Sequence, residues 1–305
     1  MSWLDLLLQG VLLGGYYALL ASGLSFLYGV LRVINLAHGS LAVVAAYAFL
    51  VCAERWGLGL GSAALLLLPL MGGVGWLLHR SVFERSLRGG ELVPILSTFG
   101  LAIVIDNLLF QEFGADTQSL APYIDSLAYD SWTLPGEIIV GQLAVLELAL
   151  AVVVLGGLHL ILVRTSLGRQ IRAAAEDDEA ARVVGIDTRR VHGWATAIGL
   201  TTVALAGLAL ALRATFDPYA GPQQLIFAFE SVVMGGAGSL WGTLAGGVAL
   251  GVAQSIGARL NPQGFLIAGH AVCLLVLLAR VGAGGNLRGA LAERLRALRA
   301  VREHP

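Results

Sequence analysis

The chain has 305 residues, 57% of them hydrophobic and only 13% charged, with a formal net charge of −1 and a mean hydropathy of +0.80. A soluble domain carries roughly 45–50% apolar and about 25% charged residues, so this composition excludes one. Every one of the 19 basic residues is arginine, which also excludes a phosphate-binding loop of the form G-x-x-x-x-G-K-[ST], whose lysine reaches the phosphates.

Apolar runs fall at roughly 4–30, 34–53, 59–79, 92–112, 138–163, 192–213, 224–258 and 264–281. A bilayer core about 30 Å thick needs roughly 20 apolar residues per helix, and the alternating segments of about ten residues that mark a membrane β-barrel are absent. The expected fold is all-α, a polytopic bundle of transmembrane helices with about eight to ten membrane segments. The opening MSWLDLLLQG has no basic residue before Arg32. A secretory signal needs a positive start, so the first run reads as a retained span. The run 224–258 is too long for one span and is interrupted at GGAGSLWG, 235–242. It reads as two segments, or as one span and a re-entrant piece.

Short basic loops stay cytoplasmic. The linker 79–91 holds Arg80, Arg85 and Arg88, and the tail holds Arg288, Arg294, Arg296, Arg299 and Arg302. Between Arg164 and Arg190 lie six arginines and five acids. These three regions are expected in the cytoplasm. The stretch 113–137 has Asp116, Asp125 and Asp130 but no basic residue, and is expected outside, as is the N-terminus. Nine crossings satisfy this scheme if 224–258 turns back on itself. Arg55, beside Glu54, runs weakly against it, and Arg213 near the outer face has Asp217 as its expected partner. The domains expected are a membrane domain over 1–282, with a cytoplasmic loop at 164–191, and a basic cytoplasmic tail over 283–305.

The outer stretch 113–137 carries Tyr123, Tyr129 and Trp132. Such residues collect at headgroup level, but a loop this long can also serve as a docking surface. Glycine pairs spaced four apart (Gly10 and Gly14, Gly238 and Gly242, Gly242 and Gly246, Gly247 and Gly251) let helix backbones approach closely. They fit packing within the chain, or an interface with another subunit. Cys52 and Cys273 lie in apolar runs without ligand spacing and read as core. No metal site is expected.

Ionisable groups at membrane depth are costly, and so are functional candidates. Asp106 and its neighbour Asn107 could line a path or make an interhelical hydrogen bond. Glu147 and Glu230 read as structural. Asn35 and His38 stand where they could cap or kink a broken helix, with Gly39 easing the break. Broken helices place free backbone groups at the substrate sites of some transporters.

The charged island contains AAEDDEAARVVGID, 174–187. Its four consecutive acids fan around a helix axis, which does not make a catalytic pair. Asp177 or Asp178 caps a helix whose first turn is acidic. Gly185 stands where a C′ glycine ends it, followed by Ile186 as the usual apolar contact. The result is a helix of about two turns, roughly 10 Å long. Its Ala180, Ala181 and Val184 are expected to form a small apolar knob for a groove on another protein.

The pattern Ala175-Glu176-Asp177, Ala180-Ala181, Gly185-Ile186 resembles the cytoplasmic coupling segment of ABC-importer permeases. Residues 10–40, with Asn35-Leu36-Ala37-His38-Gly39, resemble the opening of bacterial branched-chain amino acid permeases. VVMGGAGSLWGTLAGGVALG, 232–251, resembles their glycine-rich penultimate region, with Met234 where the family usually has leucine. The resemblance covers roughly 8–282 and fits the shorter of the two permeases in such a system. It implies an ABC-importer permease fold in the bacterial cytoplasmic (inner) membrane, with no catalytic role and no cofactor bound by this chain. The implied partners are a second homologous permease, two cytoplasmic ATPase subunits that use ATP and Mg, an external solute-binding protein and the lipid bilayer, with no nucleic acid. Glu176, Asp177, Ala180, Ala181, Gly185 and Ile186 would couple to the ATPase; Asn35, His38, Asp106 and Asn107 are candidates for the path. The implied cargo is a branched-chain or other hydrophobic amino acid. Small amides or urea in the same importer class, an ion-coupled carrier using the buried acids, and an intramembrane enzyme are the alternatives.

Overall fold

A computed structural model describes residues 3–90, 92–124, 127, 129–134 and 138–283; the expected basic tail lies almost wholly outside them. Among the described residues, seven helices are long and apolar enough to cross a membrane. α1 (Trp3–Leu31), α3 (Leu60–Leu78), α5 (Leu92–Phe113), α6 (Gln142–Arg164), α9 (Thr188–Arg213), α11 (Leu240–Leu260) and α12 (Gly264–Ala283) carry them. α3 runs on through a π-turn at His79–Phe83 into a short α4 (Glu84–Ser86). Two more are shorter: α2 (His38–Glu54) has 17 residues and α10 (Gly221–Gly235) has 15. The nine apolar segments fall within the expected range, and α2 and α10 are the shortest of them.

The bundle is layered. The apolar stretches of α1 and α9 are 89% and 78% buried, whereas those of α3, α5, α6 and α12 are 11–22% buried and form the periphery. Peripheral faces carry Leu65, Leu96, Val153 and Leu278, all exposed, as a lipid-facing surface requires. At the centre, α1 runs antiparallel to α11 along a glycine seam. A Cβ on Gly14 would lie 2.3 Å from Val248 Cα, and one on Gly251 would lie 2.3 Å from Gly10 O. The pair Gly242 and Gly246 packs against Gly235 on α10, and Gly238 against Gly29. Each of the glycine pairs therefore has a packing role inside this chain. Cys52 and Cys273 are buried and unpaired.

The two ends differ. At one, Arg189 on α9 pairs with Glu84 on α4 at 2.9 Å, so the 79–91 linker and the charged island meet. At the other, Arg55 pairs with Glu112 at 3.6 Å. Arg213 reaches Glu147 at 2.6 Å and not the expected Asp217, whose carboxylate accepts from Tyr219 N instead. This second end also holds an antiparallel hairpin, β1 (Ser131–Leu134) with β2 (Ile138–Gly141). The apolar run expected from residue 138 thus begins as a strand, and its helix starts only at Gln142. Gln118 bridges to Phe216 in the same region, tying the long loop to the end of α9.

Candidate functional site

Two regions matter, one at each level of the bundle. The first is the charged island. Thr165 opens α7 (Ser166–Glu176) by accepting from Gly168 N at 2.9 Å. α7 was not foreseen as a helix; Gly168, Ile171 and Ala174 face inward at spacings of three, while Arg169 and Arg172 face out. Asp177 then caps α8 (Asp178–Val183), its Oδ1 accepting from Glu179 N and Ala180 N at 3.0 Å each. At the far end Gly185 has φ +88°, Gly185 N donates to Arg182 O, and Ile186 N donates to Ala181 O, both at 3.0 Å. This is the Schellman closure that the glycine and the following isoleucine announce. Arg182 ties α8 to itself through Asp178 and to α9 through Thr188.

The outward face is not the one expected. Ala181 is 3% exposed and belongs to the core, whereas Val183 is 87% and Val184 76% exposed. Ala180 and Glu179 share the outer side, with Glu176 on the adjoining end of α7. Ala181 therefore anchors α8, and Val183 joins Ala180 and Val184 in the exposed knob. A helix of six residues is too short for apolar periodicity to fix which side packs.

The second region lies in the middle of the bundle. Residues 32–37 leave α1 as non-helical chain and return beside it, and His38 Nε2 meets Leu20 O at 2.7 Å, well inside α1. From there α2 rises to the Glu112 end. α10 runs the opposite way, from Gly221 down to Gly235, whose neighbour is Gly242 on α11. The two short helices meet at their N-termini: a Cβ on Gly39 would lie only 1.9 Å from Gly221 O. Gly39 serves a backbone-on-backbone approach, not a flexible break, since it keeps an ordinary helical φ.

Polar side chains cluster around this junction. Asn35 Oδ1 accepts from Ala37 N at 3.0 Å, closing the turn into α2. Leu36 N donates to Thr98 Oγ1 at 3.1 Å. The Ser40 hydroxyl stands beside the Asp106 carboxyl group, and Tyr16 donates to Gln224 Oε1 at 2.6 Å. Asn35, His38 and Asp106 are 2%, 0% and 6% exposed, and Asn35 Nδ2, His38 Nδ1 and Asp106 Oδ1 have no hydrogen-bond partner among the described residues. Each is therefore a buried polar group on or beside the junction, with its own neighbour: Ala37 N for Asn35, Leu20 O for His38 and Ser40 for Asp106. Asn107 is not among them: it faces outward, its amide donating to Ile103 O at 2.8 Å. Ser40, Tyr16 and Gln224 escaped sequence reading, although an amide or hydroxyl inside an apolar run was the available signal. Glu230 and Glu147 hold helices together, Glu230 through His270 at 2.5 Å and Glu147 through Arg213. Arg280 donates to Val233 O and Met234 O, satisfying the last carbonyls of α10.

Residues 6–281 match the family described as branched-chain amino acid transport system / permease component. The chain belongs to this permease family. It is 29% identical over 289 residues to the high-affinity branched-chain amino acid transport system permease protein BraD of Pseudomonas aeruginosa, covering 91% of this chain and 94% of that one. It is 30% identical over 290 residues to LivH of Escherichia coli, covering 90% and 93%. The high-affinity branched-chain amino acid transport system permease protein LivM of Escherichia coli is 27% identical over 297 residues, with 86% of this chain and 66% of LivM covered. No solved structure matches. The protein is accordingly a multi-pass membrane permease, a transport component in its family.

Proposed function

We propose that this chain is the shorter permease subunit of an ATP-driven ABC importer in the bacterial cytoplasmic membrane, and that its cargo is a branched-chain or other hydrophobic amino acid. The observation that carries this reading is α8. It is short, capped at both ends and anchored through Ala181, and it presents Val183 and Val184 where water would otherwise meet them. A lone exposed knob flanked by Glu176 and Glu179 suits a groove on a cytoplasmic partner. In a chain without lysine, that partner is the one to bind ATP and Mg.

The proposed assembly has two permeases, this chain and a homologue, two ATPase subunits below, and an external solute-binding protein above. The similarity to both LivH and LivM supports the two-permease arrangement. Glu176, Asp177, Ala180, Gly185 and Ile186 form and orient the coupling element. ATP binding moves α8 as a rigid lever, and the motion reaches the mid-bundle junction through α9, to which Arg182 binds it. A ligand shifts such an equilibrium only by binding the two states differently; α8 is where the ATPase does so. At the junction, Asn35, His38 and Asp106 offer the polar atoms that line the path as it opens. Asn107, on the outer face, serves the path only where a second permease covers that face.

The test is purification of the chain from its native cell in mild detergent, with identification of what accompanies it. An ATPase bearing a P-loop lysine and a second permease are the expected companions. A chain that purifies alone and transports without ATP would overturn the reading in favour of a carrier.

A further inference from the structure

A cavity of about 620 Å³ opens at the charged end, between the end of α1, the α3–α4 turn, α7, α8 and the start of α9. That volume falls within the roughly 300–1,000 Å³ of small-molecule sites. Its walls are mixed: Val30, Leu31, Leu87 and Ala174 supply an apolar side. The charged groups are mostly used up. Arg182 pairs with Asp178, and Arg189 with Glu84. Two remain: among the described residues, neither the Arg32 guanidinium nor the Glu176 carboxylate has an ion pair or hydrogen bond. One uncommitted cation and one uncommitted anion thus line a single partly apolar cavity. At its inner wall is His79, 4% exposed, whose Nε2 is buried without a partner. Arg32 ends α1 in the left-handed conformation, at φ +55°, its N–H donating to Tyr28 O at 3.0 Å in the αL closure of a helix C-terminus.

We propose that this cavity binds a small zwitterion with a short aliphatic body, such as leucine, from the cytoplasmic side. Its carboxylate meets Arg32, its ammonium meets Glu176, and its side chain lies on Val30, Leu31 and Leu87. Since α7 and α8 form one wall and α1, α4 and α9 the other, the ligand ties the coupling element to the bundle, and internal amino acid slows uptake. The binding site stands independently of the importer reading; the effect on uptake rests on it.

The test has two measurements. Radiolabelled leucine is titrated onto the detergent-purified protein with its co-purifying partners. Leucine should bind at least tenfold more tightly than leucinamide, which lacks the carboxylate, or 4-methylpentanoate, which lacks the ammonium. Arg32→Asn, chosen because asparagine tolerates left-handed backbone, and Glu176→Gln should each weaken binding at least tenfold. Binding that neither substitution alters, an analogue that binds as well as leucine, or no binding, would overturn the site. In proteoliposomes with internal ATP, the ratio of uptake without and with internal leucine should be several-fold for the unaltered protein and near one for Arg32→Asn. A ratio of one for the unaltered protein removes the regulatory effect. Complete absence of ATP-driven uptake defeats the importer reading instead, and leaves the titration to decide the site.

Discussion

Arg213 Nη1 lies 2.6 Å from Glu147 Oε2, joining α9 to α6 across 66 residues of sequence, with the guanidinium 5.6 Å from the ring centre of Tyr16. Glu147 is 3% exposed as a side chain, Arg213 28%. Removing one partner of a buried pair strands the other charge, at a cost of about 3–5 kcal/mol, whereas replacing both with apolar groups is often neutral. Glu147→Leu and Arg213→Met should each lower the melting temperature in detergent markedly, and the double variant should recover most of the loss. Additive losses would mean that the two side chains act separately.

The abutting short helices predict a sharp contrast between glycines. Gly39→Ala drives a Cβ onto the Gly221 carbonyl, backbone against backbone, where neither side can give way. Overpacking costs about 1–3 kcal/mol where a core can relax, and the cost here should reach the top of that range or exceed it, with loss of folded yield. Gly73→Ala on α3 meets nothing within 4 Å and should be neutral or slightly stabilising, since alanine favours helix by about 1 kcal/mol. Fluorescence-detected gel filtration of both variants reads the difference.

On α8, position decides the phenotype. Val183→Glu places a charge on the exposed knob and should leave melting unchanged while abolishing ATP-driven uptake by the reconstituted complex. Ala181→Glu buries the charge in the core and should destabilise the protein itself. If Val183→Glu transports normally at full expression, α8 is not the coupling element. Asp177→Ala removes the N-cap and should cost about 1 kcal/mol, read as a small drop in melting temperature.

Asp106→Asn keeps size and hydrogen-bonding capacity beside Ser40. With the carboxyl group lining the path, the variant should assemble fully and lose most of its uptake. A loss that is only modest would make the carboxyl group structural.

What the sequence disclosed, and what it hid, follows from the range of each interaction. The Gly185–Ile186 closure and the Asp177 cap are local, written within a few residues, and were read correctly. So was the break after Gly235, because GGAGSLWG interrupts the apolar run; there Gly236 and Gly238 take positive φ. The partner of Arg213 was not, because the nearest acid in sequence, Asp217, lost to Glu147 from another helix. Composition gave α2 as a full span, since residues 34–37 are as apolar as the helix they precede; only the turn closed by Asn35 shows that they bend back. Ala181 and Val183 could be told apart only once α8 had a bundle to lie on.

The seam between α1 and α11 also bears on how the molecule is made. α1 is the most enclosed of the long helices, yet its principal partner is synthesised roughly two hundred residues later. In a bilayer, helices insert first and associate afterwards, so Gly10 and Gly14 must wait against lipid or temporary neighbours through most of translation. Biogenesis is therefore completed late. A chain stopped before Leu240 would be inserted and correctly threaded, yet without a centre, and the quality-control machinery of the membrane would meet a glycine-lined groove where the finished protein has none.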